Sequence, residues 1–126
     1  MDKPFSYETF LYVLENDDCF AVDETSFYFA DDPQQTDRML GCLRQYEKPY
    51  WLGYCDDPDG CCFETAQQML EAKVFDGRSV KDRWEQVVFS AIGGITVGSW
   101  LDTYKDKILQ GENNGQHNTV QGKCIR

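Results

Sequence analysis

Two dense turn signals lie between short apolar runs, and they limit how this chain folds. Asp56-Asp57-Pro58-Asp59-Gly60 separates the aromatic run Tyr50–Cys55 from Cys61–Phe63, and Gly93-Gly94 separates Val87–Ile92 from Ile95–Val97. Aspartate, proline and glycine at such points favour tight reversals, so each pair of runs is predicted to form a β-hairpin. Short hairpins favour an antiparallel sheet because parallel strands need long crossovers.

Helical segments are predicted between these hairpins. Ser6 is a good N-cap for a helix over residues 7–16, and Asp32-Pro33 with Gln35 resembles a capping box that opens a second helix ending at Lys48. Further predicted elements complete the order: strands at Cys19–Val22 and Ser26–Ala30, helices capped by Thr65 and by Ser79, and a last helix over residues 98–108.

The predicted fold class is therefore α+β, with a small antiparallel sheet built from short hairpins and helices packed mainly on one face. The length of 126 residues and the 41% hydrophobic content suit one globular domain, which we assign to residues 1–110. The stretch 111–126 is polar and rich in glycine and asparagine, and it is predicted to be a flexible polar C-terminal tail.

Negative charge is concentrated in two segments. The net charge is −10; residues 1–32 carry −8 and residues 55–64 carry −4. Charge of this kind repels nucleic acid and anionic membranes and attracts basic protein surfaces, so we expect a basic protein as partner, no nucleic acid and no membrane. The expected partner-binding residues are the acidic ones of these segments and two tyrosines beside the second turn: Asp17, Asp18, Asp23, Glu24, Asp31, Asp32, Asp56, Asp57, Asp59, Tyr50 and Tyr54.

Patterns typical of catalysis or of cofactor and metal binding are missing from the sequence. The only histidine, His117, lies in the polar C-terminal stretch, which excludes histidine-based nucleophile pairs and metal sites from the predicted domain. An EF-hand frame with Gly60 at its sixth position places Cys55 at the first, where calcium requires an oxygen ligand. We therefore expect a non-catalytic protein without a metal or cofactor.

The six cysteines are expected to be reduced thiols. The start of the chain lacks the basic and apolar regions of a signal peptide, so we expect a cytoplasmic location, where disulfides are rare. One exception stays open: Cys55 and Cys61 flank the acidic turn and could form a disulfide across the hairpin. Four basic residues, Lys73, Arg78, Lys81 and Arg83, are too few for nucleic-acid binding and are expected to pair with the protein's own acids.

Residues 50–104 contain a pattern of helix caps, a helix break and a tryptophan. It is carried by Phe63-Glu64-Thr65-Ala66, by Ala72-Lys73-Val74-Phe75-Asp76-Gly77-Arg78-Ser79 and by Arg83-Trp84. In this the chain resembles small uncharacterised acidic proteins of gut Firmicutes, often found in mobile-element settings. The resemblance implies no activity and no site residues. The mobile-element setting favours an inhibitor that imitates nucleic acid and blocks a host defence nuclease or restriction system. The alternatives are an immunity protein that neutralises a basic toxin, and a structural or accessory domain with no charge-driven partner.

Overall fold

The computed structural model of the chain describes residues 3–16 and 19–120 and confirms the α+β fold. Five strands form one antiparallel sheet, and four helices accompany it. The elements are α1 (Tyr7–Asn16), β1 (Thr25–Phe29), β2 (Arg38–Cys42), β3 (Tyr50–Gly53), β4 (Cys61–Phe63), α2 (Ala66–Glu71), β5 (Val87–Ala91), α3 (Val97–Thr103) and α4 (Lys105–Val120), with 3₁₀ turns at Cys19–Ala21 and Trp84–Gln86.

The strand order is β4-β3-β2-β1-β5, so β1 to β4 form a meander and β5 pairs with the free edge of β1. Thr25 lies opposite Leu40, and Leu40 lies opposite Leu52 in the next strand. A register shift between Ser26 and Phe27 marks an irregularity where β5 pairs with β1. Because β1 and β3 both run antiparallel to β2, they point in the same direction, which decides where the acidic turns lie.

One face of the sheet, called here the inner face, packs against the helices. Its side chains include Phe27, Phe29, Leu40 and Leu52, each no more than 1% exposed. They share a core with apolar residues of α1, α2 and α3: Phe10, Val13, Leu14, Met69, Leu70 and Trp100. Burial of this many large apolar side chains supplies the main stabilisation of the fold.

Aromatic rings join the N-terminal segment to β5 and α3. Phe5 lies 5.5 Å from Trp100 and 5.8 Å from Phe89 between ring centroids, and Phe10 lies 5.1 Å from Phe89. The indole Nε1 of Trp100 donates a 2.6 Å hydrogen bond to the carbonyl of Ala21. The buried Trp100 therefore satisfies its only polar group while it packs against the core.

Several predicted elements are confirmed. Helix α1 has the predicted bounds, and the backbone N–H of Thr9 donates to the Ser6 hydroxyl that was expected to cap it. Thr65 and Gln68 form the predicted capping box at the start of α2. The strands on either side of the acidic turn are β3 and β4, and they pair as a hairpin.

The predicted second helix is wrong: residues 38–42 form β2, at the centre of the sheet. Asp32 does accept hydrogen bonds from the backbone N–H groups of Gln34 and Thr36, as a capping residue would, but the segment forms a loop. Gln35 has a φ of 48°, a left-handed conformation that a right-handed helix excludes. Pairing of β2 with both neighbouring strands outweighs the local helical signals.

Three shorter predictions also need correction. The predicted strand at Cys19–Val22 contains a 3₁₀ turn, and the segment that Ser79 was expected to cap is a series of turns ending in Trp84–Gln86. Ser79 and Asp82 nevertheless exchange the two expected hydrogen bonds. The predicted return strand over 95–97 is reduced to one isolated bridge between Ile92 and Ile95, because Thr96 caps α3 instead.

The cysteines also differ from expectation. Cys19 and Cys42 form a disulfide with a Cα–Cα distance of 5.0 Å, which corrects the prediction of reduced thiols for this pair. Their spacing of 23 residues gave no local signal, because strand pairing brings them together. Cys55, Cys61 and Cys62 are free thiols, and Cys124 lies outside the described residues.

Helix α4 continues past the predicted domain boundary at residue 110 and reaches Val120. Gly111 is buried against α1, where a Cβ would lie 3.2 Å from side-chain atoms of Thr9 and Tyr12. The hydroxyl of Thr9 donates a 2.6 Å hydrogen bond to the Glu112 carboxylate. Residues 111 and 112 therefore belong to the packed domain. Within the described part of the chain, no helix has both the length and the apolar character needed to cross a membrane.

Candidate interaction surface

Those acidic residues of the predicted binding site that the structure describes lie at two opposite ends of the sheet. Glu24 immediately precedes β1, whereas Asp31 follows its end. The turn that contains Asp57 follows the end of β3, which points the same way as β1. Five of the predicted residues therefore share one end of the sheet, called here the acidic end: Asp31, Asp32, Asp56, Asp57 and Asp59.

Two further carboxylates belong to the acidic end and were missed from the sequence. Asp37 immediately precedes β2, whose start lies beside the end of β1. Asp76 lies against Asp56, since its backbone N–H donates to both oxygens of that carboxylate at 3.0 and 2.9 Å. Asp37 had been placed within a helix and Asp76 in a helix break, so neither could be assigned to this end without the strand order.

Some of these carboxylates also hold the loops in place. Asp56 accepts hydrogen bonds from the N–H groups of Asp76 and Gly77, which ties the turn after β3 to the segment before Ser79. Asp57 accepts from the N–H of Asp59 at 3.0 Å within the turn itself. Hydrogen bonds from the N–H groups of Thr36 and Gln34 keep the pKa of Asp32 below its ordinary value. The acidic end is therefore partly an ordered hydrogen-bonded structure.

One arginine neutralises part of the charge of the acidic end, and a second holds the backbone there. Arg83 donates to Asp31 at 2.7 Å, and its guanidinium carbon lies 3.7 Å from the ring centroid of Phe29. Arg38 donates to the carbonyl of Tyr54 at 2.7 Å. Lys73 pairs with Asp82 and Lys81 with Glu71, so three of the four predicted basic residues form the expected ion pairs with the protein's own acids.

The remaining acidic residues of the prediction do not join this surface. Asp23 is half-buried at the other end of β1 and accepts a 3.2 Å hydrogen bond from the N–H of Cys42. Glu24 is exposed beside it, with a φ of 59°. Asp17 and Asp18 lie outside the described residues.

The two tyrosines of the prediction have different surroundings. Tyr50 lies on the inner face, donates a 3.1 Å hydrogen bond to the carbonyl of Leu14, and has its pKa raised mainly by burial. Tyr54 follows β3 at the acidic end and is 65% exposed, the highest exposure among the large hydrophobic residues that the structure describes. Of the two tyrosines, only Tyr54 is therefore an exposed residue of the acidic end.

The other face of the sheet, the outer face, has a more exposed aromatic surface. Trp51 lies over Gly41, where a Cβ would overlap both the indole ring and the Asp23 carboxylate. The Nε1 atom of Trp51 is buried without a hydrogen-bond partner. Cys62 lies opposite Trp51 on β4 and is exposed. Trp51 is half-buried, whereas Trp84 and Trp100 are buried.

Two depressions adjoin Trp51. The first, the apolar pocket, has a volume of about 460 Å³ and includes Leu43, Tyr46 and Pro49 in its wall. The second, the hairpin groove, has a volume of about 540 Å³ and runs along the acidic turn. Trp51 and Cys62 line both. The hairpin groove also includes Tyr54, Asp57 and Asp59, so it combines aromatic side chains with carboxylates.

The free thiols lie at the same hairpin. The Sγ atoms of Cys55 and Cys61 are 3.9 Å apart, and the Cys55 thiol donates a weak hydrogen bond to the carbonyl of Asp57 at 3.5 Å. Burial, together with the nearby Cys55, Asp57 and Cys62, raises the pKa of Cys61 to about 11. Over residues 3–16 and 19–120, no group of three or more His, Cys, Asp or Glu side chains is arranged to hold a metal ion.

Comparison of the chain with protein-family models, with curated proteins and with solved structures gives no significant match.

Proposed function

We propose that this is a non-catalytic binding protein that holds a basic segment of a partner protein in the hairpin groove. One observation carries the proposal: Trp51 and Tyr54 line the same groove as Asp57 and Asp59. An arginine or lysine in such a groove gains both an aromatic face and a carboxylate partner. A cation over an aromatic ring contributes about 0.5–1 kcal/mol at an exposed site.

The apolar pocket gives the proposed partner a second feature. It shares Trp51 and Cys62 with the hairpin groove, and its wall also includes Leu43, Tyr46 and Pro49. A partner segment with an apolar side chain next to a basic one would fill the pocket and the groove together. Tyrosine and tryptophan are common anchors in protein interfaces, and the surrounding charge steers association and specificity.

The negative acidic end supports a protein partner over nucleic acid, because phosphates would be repelled. The finer form of the proposal is an inhibitor that covers the nucleic-acid groove of a host defence nuclease or restriction enzyme. A phosphate-like row that includes Asp23 and Glu24 is not available, since these two lie at the opposite end of the sheet from Asp57. Such an inhibitor would therefore use the acidic end alone.

A synthetic peptide in which lysine alternates with leucine tests the groove directly. We expect the double substitution Asp57→Asn/Asp59→Asn to weaken binding about tenfold, since exposed ion pairs contribute up to about 1 kcal/mol each. The control Glu85→Gln/Asp102→Asn removes the same charge from exposed sites outside the groove. If the two double variants lose the same amount of affinity, the peptide is attracted to net charge in general. That outcome would refute binding in the hairpin groove.

The natural partner is sought by capture from the native host with wild-type protein and both double variants, at low and high salt. A basic protein retained by wild type and the Glu85/Asp102 control, but lost with Asp57→Asn/Asp59→Asn and in high salt, supports the proposal. Competition between this protein and DNA for the captured partner would indicate the nuclease inhibitor. A toxin encoded beside this chain would indicate the immunity protein, and salt-insensitive capture would indicate an accessory domain.

The cytoplasm is the location we propose, and the Cys19–Cys42 disulfide makes it testable. Disulfides are rare in the cytoplasm and persist in oxidising compartments. Acid quenching of intact host cells, followed by alkylation of the denatured protein, decides the matter, because both cysteines are buried in the folded chain. Modification of Cys19 and Cys42 would indicate the cytoplasm, whereas protection of both would indicate an oxidising compartment and overturn this location.

A further inference from the structure

The thiols of Cys55 and Cys61 face each other where the β3–β4 hairpin opens into the acidic turn. Their Sγ atoms are 3.9 Å apart, and a disulfide bond requires about 2.0 Å. Cys61 pairs with Leu52 on the inner face, and the adjacent Cys62 points to the outer face. Closing the bond thus needs a displacement of about 2 Å, within a turn rather than within a packed helix.

We propose that Cys55 and Cys61 are a reversible redox site, oxidised by low-molecular-weight disulfides such as oxidised glutathione, and that the bond alters the hairpin groove. The second part rests on the function proposed above; the first does not. Cys19 and Cys42 are already bonded to each other, and Cys62 lies on the other face, so among the cysteines that the structure describes Cys55 and Cys61 are the pair of facing thiols.

The reaction is two thiol–disulfide exchanges. The thiolate of Cys55 attacks oxidised glutathione, which forms a mixed disulfide and releases one glutathione thiolate. The thiolate of Cys61 then attacks the Cys55 sulfur of that mixed disulfide and releases the second glutathione. The protein loses two protons and two electrons, and one oxidised glutathione becomes two reduced molecules.

Oxidation would affect the groove through the acidic turn. In the reduced state the Cys55 thiol donates to the Asp57 carbonyl, which also accepts from the N–H of Gly60 at 3.0 Å. A disulfide removes the thiol proton and therefore one of these two donors. The bond also draws the two ends of the turn together, and Asp57 and Asp59 lie between them. The carboxylates of the groove would consequently change position.

The rate of closure is expected to depend on pH. The pKa of Cys61 is about 11 because the side chain is partly buried and lies near Cys55, Asp57 and Cys62. At neutral pH this thiol is almost wholly protonated, and only the thiolate attacks a disulfide. Closure should therefore become faster as the pH rises from 7 to 9.

The test uses the full chain with Cys62→Ser and Cys124→Ser, which leaves Cys55 and Cys61 as its only cysteines besides Cys19 and Cys42, whose own linkage is mapped in the same samples. The protein is equilibrated in glutathione buffers of graded ratio, quenched with acid, alkylated and mapped by mass spectrometry. We expect a Cys55–Cys61 linkage that forms and is lost reversibly as the ratio changes. Thiols that remain alkylatable at every ratio, or a stable glutathione adduct on either one, would refute the site.

Two further measurements complete the test. With Cys61→Ser added, the second exchange is impossible, so Cys55 should accumulate as a glutathione adduct. The lysine–leucine peptide is then titrated against the reduced and the oxidised protein, and we expect affinities that differ roughly threefold or more. Equal affinities would refute the effect on the groove while leaving the redox site. A peptide that binds neither form would refute the proposed function together with that effect.

Discussion

Gly41 shows how a single residue shapes the outer face. It lies opposite Trp51 in the β2–β3 pair, and a Cβ there would overlap the indole ring and the Asp23 carboxylate. We expect Gly41→Ala to lower the free energy of unfolding by about 1–3 kcal/mol, because the ring must move out. The emission of Trp51 should shift and become easier to quench, while the buried Trp84 and Trp100 should stay unaffected.

Gly53 provides the matched control for this substitution. It lies on the same face, but a Cβ there would meet Trp51 no closer than 3.5 Å, which is an ordinary contact. Gly53→Ala should therefore leave tryptophan emission unchanged. If both variants behave alike, the position of Trp51 does not depend on the missing side chain at Gly41.

At the scale of elements, Gly111 tests whether α4 is packed as the structure shows. A side chain there would press on Thr9 and Tyr12 at 3.2 Å, so Gly111→Val should destabilise the protein by about 1–3 kcal/mol in urea unfolding. Gly98 in α3 has no atom within 4 Å of an added Cβ. Gly98→Ala should be neutral or stabilise by up to about 1 kcal/mol. A neutral Gly111→Val would indicate that the flexible tail begins at residue 111 as the sequence predicted.

The elements that were predicted correctly are specified by residues close together in the sequence. Thr65 and Gln68 satisfy each other's backbone groups whatever the rest of the chain does. Asp32 shows the limit of this reasoning, because its carboxylate caps two N–H groups in a loop as readily as in a helix. Leu40 forms a strand because Thr25 and Leu52 pair with it from both sides. Residues 32–48 taken alone give no indication of these pairing partners.

The candidate site depends on the whole molecule in the same way. The sequence predicted the turn at Asp57 from its local residue pattern, and the structure confirms it; an interface role for Tyr54 stays a prediction. The sequence could not predict that Glu24 and Asp31, only seven residues apart, lie at opposite ends of the sheet. The strand between them separates them by roughly 17 Å. Likewise, the meander order brings Asp31 and Asp57 to the same end.

Stability of the whole molecule is expected to fall at both extremes of pH. On the acid side, hydrogen bonds from Lys73 and from the N–H of Ser79 lower the pKa of Asp82 to about 2, from 3.8. A lowered pKa in the folded state contributes stability above the unfolded pKa, and that contribution is lost as the pH falls from about 4 through 2. On the alkaline side, burial and nearby carboxylates raise the pKa of Tyr7 from 10.0 to about 12. The contribution of neutral Tyr7 to stability is therefore complete below pH 10, and it is lost as the pH rises through 12.

Substitutions separate the acid and the alkaline loss of stability when the free energy of urea unfolding is measured from pH 2 to pH 12. Asp82→Asn should be less stable than wild type at pH 6, and the difference should disappear as the pH falls through 2. Tyr7→Phe should keep more of its stability above pH 10, because phenylalanine has no hydroxyl that ionises as the pH rises through 12. Asp102→Asn, an exposed change on α3, is the control. A constant difference between wild type and Asp82→Asn at every pH would mean that Asp82 acts through its shape and not its charge.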